Sequence, residues 1–132
     1  MNNPRNIALM GCGRICRKHA EAIAATPGVQ LAGVCDVNVE RANDFAARYG
    51  VPGYGSLDEL LAKEDVDAVS VLTPSGMHRD HALDVMKAGK NVLVEKPVAL
   101  RPDHVVEMAT MARERGLQVY VVKQNRFNKP VV

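Results

Sequence analysis

The chain has 132 residues, of which 47% are hydrophobic, and this is enough material for one compact core. Its 17 Lys and Arg residues nearly balance 15 Asp and Glu residues, and the charges are scattered along the sequence. This distribution argues against a nucleic-acid or membrane partner and favours a small molecule.

Two further absences in the sequence bear on the compartment. The N-terminal segment has no long apolar stretch of the signal-peptide kind, and no window reaches the roughly 18 apolar residues of a membrane span. Cys12, Cys16 and Cys35 are an odd number without paired zinc spacing, so we expect reduced thiols. We therefore expect a soluble, cytoplasmic protein.

Short apolar segments alternate with longer ones in which apolar residues recur every three or four positions. This alternation predicts βα units on a parallel sheet, because strands covered on both faces are almost continuously apolar. We predict strands at 7–10, 31–35, 68–72, 91–94 and 119–122, with a weaker candidate at 51–55. We predict helices at about 14–25, 39–49 and 78–88, a short one after Ser56, and one after Pro102 that ends at Gly116.

This order of elements predicts an α/β fold, a Rossmann-type doubly wound parallel sheet in a three-layer αβα arrangement. Such sheets bind ligands at the carboxyl ends of their strands, near the point where the strand order reverses. Functional residues are therefore expected directly after each strand.

The first predicted strand ends in a glycine-rich turn. Gly11 permits a tight turn, Gly13 lets backbone N–H groups approach a pyrophosphate, and Cys16 stands where a third glycine often occurs. The same segment also fits an ordinary turn between a strand and a helix. We predict that the residues of this turn that bind a dinucleotide are Gly11, Cys12, Gly13, Arg14 and Ile15.

The second predicted strand ends at Asp36. An acidic side chain at this position accepts hydrogen bonds from the adenosine ribose and repels a 2′-phosphate, which favours NAD over NADP. Arg41 is close enough in sequence to keep NADP as the alternative. Asp36 also fits a capping role for the helix that follows at Val39.

The fourth predicted strand is followed by a loop that begins Thr73-Pro74-Ser75. In this architecture the loop lies beneath the nicotinamide half of the cofactor, and we predict Thr73, Pro74, Ser75 and His78 as cofactor-binding residues. His78 and His81 are three residues apart, but a third and fourth ligand are missing, so we predict no metal site.

The fifth predicted strand ends in Glu95-Lys96-Pro97. An ammonium group beside the nicotinamide ring stabilises a developing alkoxide, and Pro97 restricts Lys96 to extended geometry. Glu95 is placed to bind ribose hydroxyls or to orient the lysine. Taken alone, the tripeptide also fits a surface turn with a weak ion pair.

In this order and spacing, the segments IALMGCGRI, CDVN, VSVLTPSGMH and HALDVMKAGKNVLVEKP resemble the N-terminal half of the Gfo/Idh/MocA oxidoreductases. The resemblance covers about residues 5–128. It implies NAD(P)-dependent oxidation or reduction of a secondary alcohol on a sugar or polyol. It also implies that Lys96 is the catalytic residue and that Glu95 lies near the nicotinamide ribose.

The segment that follows the sixth predicted strand, VVKQNRFNKP, is similar to the branch of this family that acts on UDP-N-acetylglucosaminuronic acid. In that branch the 3-hydroxyl is oxidised to a 3-keto sugar in lipopolysaccharide biosynthesis. Gln124 and Arg126 are predicted to reach the cofactor or an anionic sugar nucleotide, or else to enter a linker. An inositol or other polyol dehydrogenase is the alternative.

Members of the family continue with an α+β domain that binds the sugar and carries a histidine partner for the lysine. We therefore expect residues 1–123 to form the NAD(P)-binding domain and residues 124–132 to begin a linker. Alone, this chain is expected to bind NAD but to turn over poorly or not at all, and the full-length protein is expected to be a homo-oligomer.

Two hypotheses that assign a different class of function also fit the sequence. A methyltransferase that uses S-adenosylmethionine also has a glycine-rich first turn and an acidic second strand end, but it gives no role to Lys96. A nucleotide-binding or sensing domain without catalysis is the second.

Overall fold

The computed structural model describes residues 4–95 and 101–122. Within these ranges strands and helices alternate along the chain. The strands are β1 (Arg5–Met10), β2 (Val29–Cys35), β3 (Gly53–Tyr54), β4 (Ala68–Val71), β5 (Asn91–Glu95) and β6 (Val119–Val122). The helices are α1 (Cys16–Ala25), α2 (Val39–Tyr49), α3 (Leu57–Lys63), α4 (His78–Lys87) and α5 (Pro102–Arg115).

The strands form one parallel sheet in the order β3-β2-β1-β4-β5-β6. The order reverses between β1 and β4, so this is a Rossmann-type doubly wound sheet and the predicted fold is confirmed. At the carboxyl edge Met10 pairs with Cys35 on one side and with Val71 on the other. The residues that follow β1, β2 and β4 therefore meet at one point.

Helices pack on both faces of the sheet, which confirms the three-layer arrangement. Leu9 packs with residues of α1 and α2, whereas its neighbour Ala8 packs with residues of α3, α4 and α5. Successive residues of a strand point to opposite faces, so β1 is covered on both sides at Ala8 and Leu9, and it is apolar from Ile7 to Met10. The same alternation puts Val92 and Val94 of β5 on the face of α4 and α5.

The ends of several elements differ from the sequence-based expectation. Helix α1 begins two residues later than predicted, because Gly13 and the residues after it form a turn in which the Cys16 N–H donates to the Gly13 carbonyl over 3.1 Å. Helix α2 is capped by Asn38, whose side chain accepts from the Arg41 N–H at 3.1 Å. The alternative in which Asp36 caps this helix is therefore wrong.

Helix α4 is preceded by a short 3₁₀ turn, Ser75–Met77. In the described part of the chain, none of the helices combines the length and the apolar character that crossing a membrane would require.

Candidate functional site

The glycine-rich turn after β1 depends on two glycines for different reasons. Gly11 has φ +101°, and a Cβ added there would lie 2.9 Å from both the carbonyl carbon and the oxygen of Leu72. Gly13 is unlike it, because among the described residues no heavy atom lies within 4 Å of an added Cβ. Gly11 therefore allows β1 and β4 to approach each other, whereas Gly13 leaves open space in front of the turn.

Asp36, directly after β2, holds the turn in place. Its Oδ2 accepts a hydrogen bond from the Cys12 N–H at 2.8 Å, and its Oδ1 accepts one from the Asn38 N–H at 2.8 Å. Its side chain is only 9% exposed, and Arg41 Nη1 lies 3.9 Å from Oδ2. A carboxylate has about four acceptor positions, so Asp36 retains capacity for ribose hydroxyls.

A cavity of about 410 Å³ opens where β1, β2 and β4 end. This is within the size range of small-molecule sites. Its lining includes Gly11, Gly13, Asp36, Thr73, Pro74 and His81. The cavity lies at the topological switch point of the sheet, where this architecture binds its ligands.

A second cavity, of about 630 Å³, adjoins the first between the glycine-rich turn and α2. Gly13 and Arg41 line both cavities. Three arginines line the second cavity together with two carboxylates, so its lining has only a small excess of positive charge: Arg14, Arg41, Arg48, Glu40 and Asp44.

Two histidines hold the loop after β4 at Thr73. His81 Nδ1 lies 2.7 Å from the Thr73 hydroxyl, and His78 Nε2 lies 2.7 Å from the Thr73 carbonyl oxygen, so His78 donates there. His78 is 2% exposed, whereas His81 reaches the first cavity. Burial lowers the pKa of His81, which keeps its ring neutral near pH 7.

The three cysteines are free thiols and all are buried. The Cys12 thiol donates to the Cys35 carbonyl oxygen over 3.7 Å. A hydrogen bond from Cys16 lowers the pKa of Cys12, whereas burial raises the pKa of Cys35 to about 12. Cys35 therefore behaves as a small apolar side chain at neutral pH.

Glu95 ends β5 and contacts α1 through His19, whose Nε2 lies 2.9 Å from Glu95 Oε2. Ile15 lies at the start of α1, where its side chain packs against the core and its carbonyl accepts from Lys18 and His19. Three predicted site residues lie outside the described residues: Lys96, Gln124 and Arg126.

The structure thus brings Gly11, Gly13, Asp36, Thr73 and Pro74 together around one cavity, with Cys12 and Arg14 at the adjoining one. Sequence reasoning missed His81 as a lining residue, together with Val37, Ser56 and Met77. Val37 and Ser56 directly follow the turn residue after β2 and β3, and this position is the signal that could have found them, whereas Met77 and His81 lie further along the chain, at the 3₁₀ turn and in α4. Within residues 4–95 and 101–122, no three His, Cys, Asp or Glu side chains are grouped as metal ligands would be.

Comparison with known proteins agrees with this geometry. Residues 5–123 match the model of the Gfo/Idh/MocA family, described as an oxidoreductase family with an NAD-binding Rossmann fold. UDP-N-acetylglucosamine 3-dehydrogenase of Acidithiobacillus ferrooxidans is 42% identical over 109 residues, which are 83% of this chain and 34% of that enzyme. 4-Carboxy-2-hydroxymuconate-6-semialdehyde dehydrogenase of a Sphingobium species is 37% identical over 123 residues, or 92% of this chain and 39% of that enzyme.

Among solved structures, the WlbA dehydrogenase from Bordetella pertussis, in complex with NADH and UDP-GlcNAcA, superimposes with a TM-score of 0.90. It is 38% identical, and the match covers 96% of this chain and 39% of that one. This chain therefore spans less than half the length of the relatives it matches. The chain belongs to the Gfo/Idh/MocA oxidoreductase family, of which it carries the NAD-binding Rossmann domain.

Proposed function

We propose that this domain binds NAD for an enzyme that oxidises a secondary alcohol of a sugar nucleotide. The observation that carries the proposal is the cavity at the switch point, with the glycine-rich turn on one side and the Asp36 carboxylate on another. The open space at Gly13 and the carboxylate beside it suit a pyrophosphate and an adenosine ribose, respectively. When bound, NAD accepts the hydride.

The preference for NAD over NADP rests on Asp36. Its largely buried carboxylate lies where the ribose hydroxyls are expected, and a 2′-phosphate there would be repelled. Arg41 partly offsets this charge, but at 3.9 Å from Oδ2 it is more than half exposed and weakly held. Asp36 therefore dominates the choice of cofactor.

For the substrate we propose UDP-N-acetylglucosaminuronic acid, oxidised at its 3-hydroxyl. Support comes from the likeness to WlbA, whose structure holds UDP-GlcNAcA, and to an enzyme that acts on UDP-N-acetylglucosamine. The relative from Sphingobium is named for a semialdehyde, so membership of the family does not by itself define the substrate.

For the chemistry we propose Lys96 as the catalytic residue and Glu95 as a ligand of the nicotinamide ribose. In the sequence Lys96 directly follows Glu95, the last residue of β5, and β5 ends at the carboxyl edge of the sheet. An ammonium group at this edge stabilises the negative charge that develops on the substrate oxygen as its proton leaves. Gln124 and Arg126 are proposed as further residues that bind the cofactor or the sugar nucleotide.

Calorimetric titration of this chain with NAD, NADP and S-adenosylmethionine tests the cofactor. NAD is expected to bind, NADP to bind more weakly, and S-adenosylmethionine not to bind. Binding of S-adenosylmethionine alone would end the dehydrogenase proposal and favour a methyltransferase.

The catalytic role is tested by Lys96→Ala in the protein that includes the substrate domain. Turnover of UDP-N-acetylglucosaminuronic acid should fall by about a hundredfold or more, with NAD affinity changed less than about threefold. Lys90→Ala, a change on the loop before β5, is the matched control and should keep turnover. Unchanged turnover in the Lys96 variant would remove this lysine from the chemistry.

A further inference from the structure

His19 and Glu95 form a pair of partly buried polar side chains. The proposed function gives no role to His19. Their Nε2 and Oε2 atoms are 2.9 Å apart, and the two side chains are only 15% and 11% exposed. The residues are separated by 76 positions in sequence. A pair held at this depth constrains both side chains, unlike an ion pair at the surface.

The pair joins two parts of the site that have different tasks. His19 lies one turn into α1, the helix that begins at the glycine-rich turn, three residues after the buried Cys16. Glu95 is the last residue of β5. Val92 and Val94 point to the face of the sheet that α4 and α5 cover. Side chains alternate along a strand, so Glu95 points to the other face, which α1 covers. The pair therefore spans β4, which lies between β1 and β5.

The chemistry of the two groups fixes how they interact. An ionised carboxylate only accepts hydrogen bonds, so the His19 ring must carry a proton on Nε2 and donate it to Oε2. Oε2 is then held on the side of α1. Among the described residues, the side-chain hydrogen bond of Glu95 is made by Oε2. The other oxygen, Oε1, can therefore accept a hydrogen bond from a ligand.

We propose that His19 is a positioning residue: it holds the Glu95 carboxylate in the rotamer that binds the hydroxyls of the nicotinamide ribose. This rests on the proposed function of Glu95. The hydrogen bond also connects α1, which follows the glycine-rich turn, to the end of β5.

The test compares NAD with ADP, which lacks the nicotinamide ribose, in calorimetric titrations of His19→Ala, His19→Gln and the unchanged chain. His19→Ala should weaken NAD binding about tenfold and change ADP binding less than about twofold. His19→Gln should recover most of the loss, because the Gln amide can donate from the position of Nε2. Lys18→Ala, an exposed neighbour on the same helix, is the control and should leave both affinities unchanged.

A double-mutant cycle with Glu95→Ala separates positioning from a general effect on the fold. Once Glu95 is Ala, replacing His19 should have little further effect on NAD binding. Equal weakening of NAD and ADP, additive effects in the cycle, or no effect of His19→Ala would each overturn the proposal. If the unchanged chain binds ADP and NAD equally, Glu95 has no role at the ribose and the proposed function of that residue fails instead.

Discussion

The Asp36 carboxylate accepts the backbone N–H of Cys12 at 2.8 Å and so links the end of β2 to the glycine-rich turn after β1. The same carboxylate accepts the Asn38 N–H through its other oxygen. One side chain therefore shapes the turn, orders the entry to α2 and presents negative charge to the cavity. The residue that we propose for cofactor recognition therefore also has a structural role.

This double role predicts two separable losses in Asp36→Ala. Two backbone N–H groups lose their acceptor, so the free energy of unfolding should fall by about 1–3 kcal/mol, as measured in urea. NAD affinity should fall as well, and the ratio of NADP to NAD affinity should rise, because the repelling charge is gone. Glu114→Ala, an exposed change on α5, is the control. An unchanged NADP to NAD ratio would contradict the assignment of Asp36 to the adenosine ribose.

The two glycines of the turn predict opposite phenotypes for the same substitution. Gly11→Ala should destabilise the fold by about 1–3 kcal/mol, because its Cβ would collide with Leu72 and its φ is strained for any other residue. Gly13→Ala should change stability by less than about 0.5 kcal/mol, yet it should weaken NAD binding by filling the space before the turn. Urea unfolding and NAD titration of both variants check this. Equal free energies of unfolding for the two variants would show that the chain accommodates a Cβ beside Leu72 without loss of stability.

The sequence predicted the fold and the strand ends because both follow local rules. An apolar run, a glycine pair and an acidic residue at the next strand end were enough to locate Gly11, Gly13 and Asp36. The bond between His19 and Glu95 could not be predicted, because it joins residues 76 positions apart across an intervening strand. Ser56 was missed as a lining residue because β3, which precedes it, has only two residues and no clear apolar pattern.

Capping of α2 shows why such local rules also fail when two residues compete. Asp36 and Asn38 are both good capping residues, and sequence alone left Asp36 as a candidate. In the structure the Asp36 carboxylate accepts from Cys12 and Asn38, and the Asn38 side chain accepts from Arg41. The course of the backbone after β2 therefore determines that Asn38, and not Asp36, caps α2.

This arrangement predicts that Asn38→Ala lowers the free energy of unfolding by about 1 kcal/mol, because the Arg41 N–H loses its acceptor. Asn38→Asp is the matched control, since it keeps the acceptor and adds a charge that suits a helix N-terminus. Urea unfolding monitored by circular dichroism measures both. A loss as large in Asn38→Asp as in Asn38→Ala would mean that the side-chain oxygen does not cap the helix.

His81 predicts a dependence of stability on pH. Burial lowers its pKa below the ordinary value of 6.5, and this outweighs the nearby carboxylates of Asp84 and Asp80, which act in the opposite direction. The unfolded chain takes up the proton at about pH 6.5, before the folded one does. The stabilisation that the neutral ring allows is therefore complete above that pH and is lost as the pH falls through the lower, folded pKa.

We therefore expect the unchanged chain to lose more stability between about pH 7.5 and pH 5 than His81→Asn loses over the same interval. Thr73→Val separates burial from the hydrogen bond to the Thr73 hydroxyl. Because burial, and not this hydrogen bond, lowers the pKa of His81, this variant should keep most of the pH dependence while its stability falls at every pH. Urea unfolding at several pH values measures all three proteins. Parallel stability curves for the unchanged chain and His81→Asn would show that His81 does not cause the loss in acid.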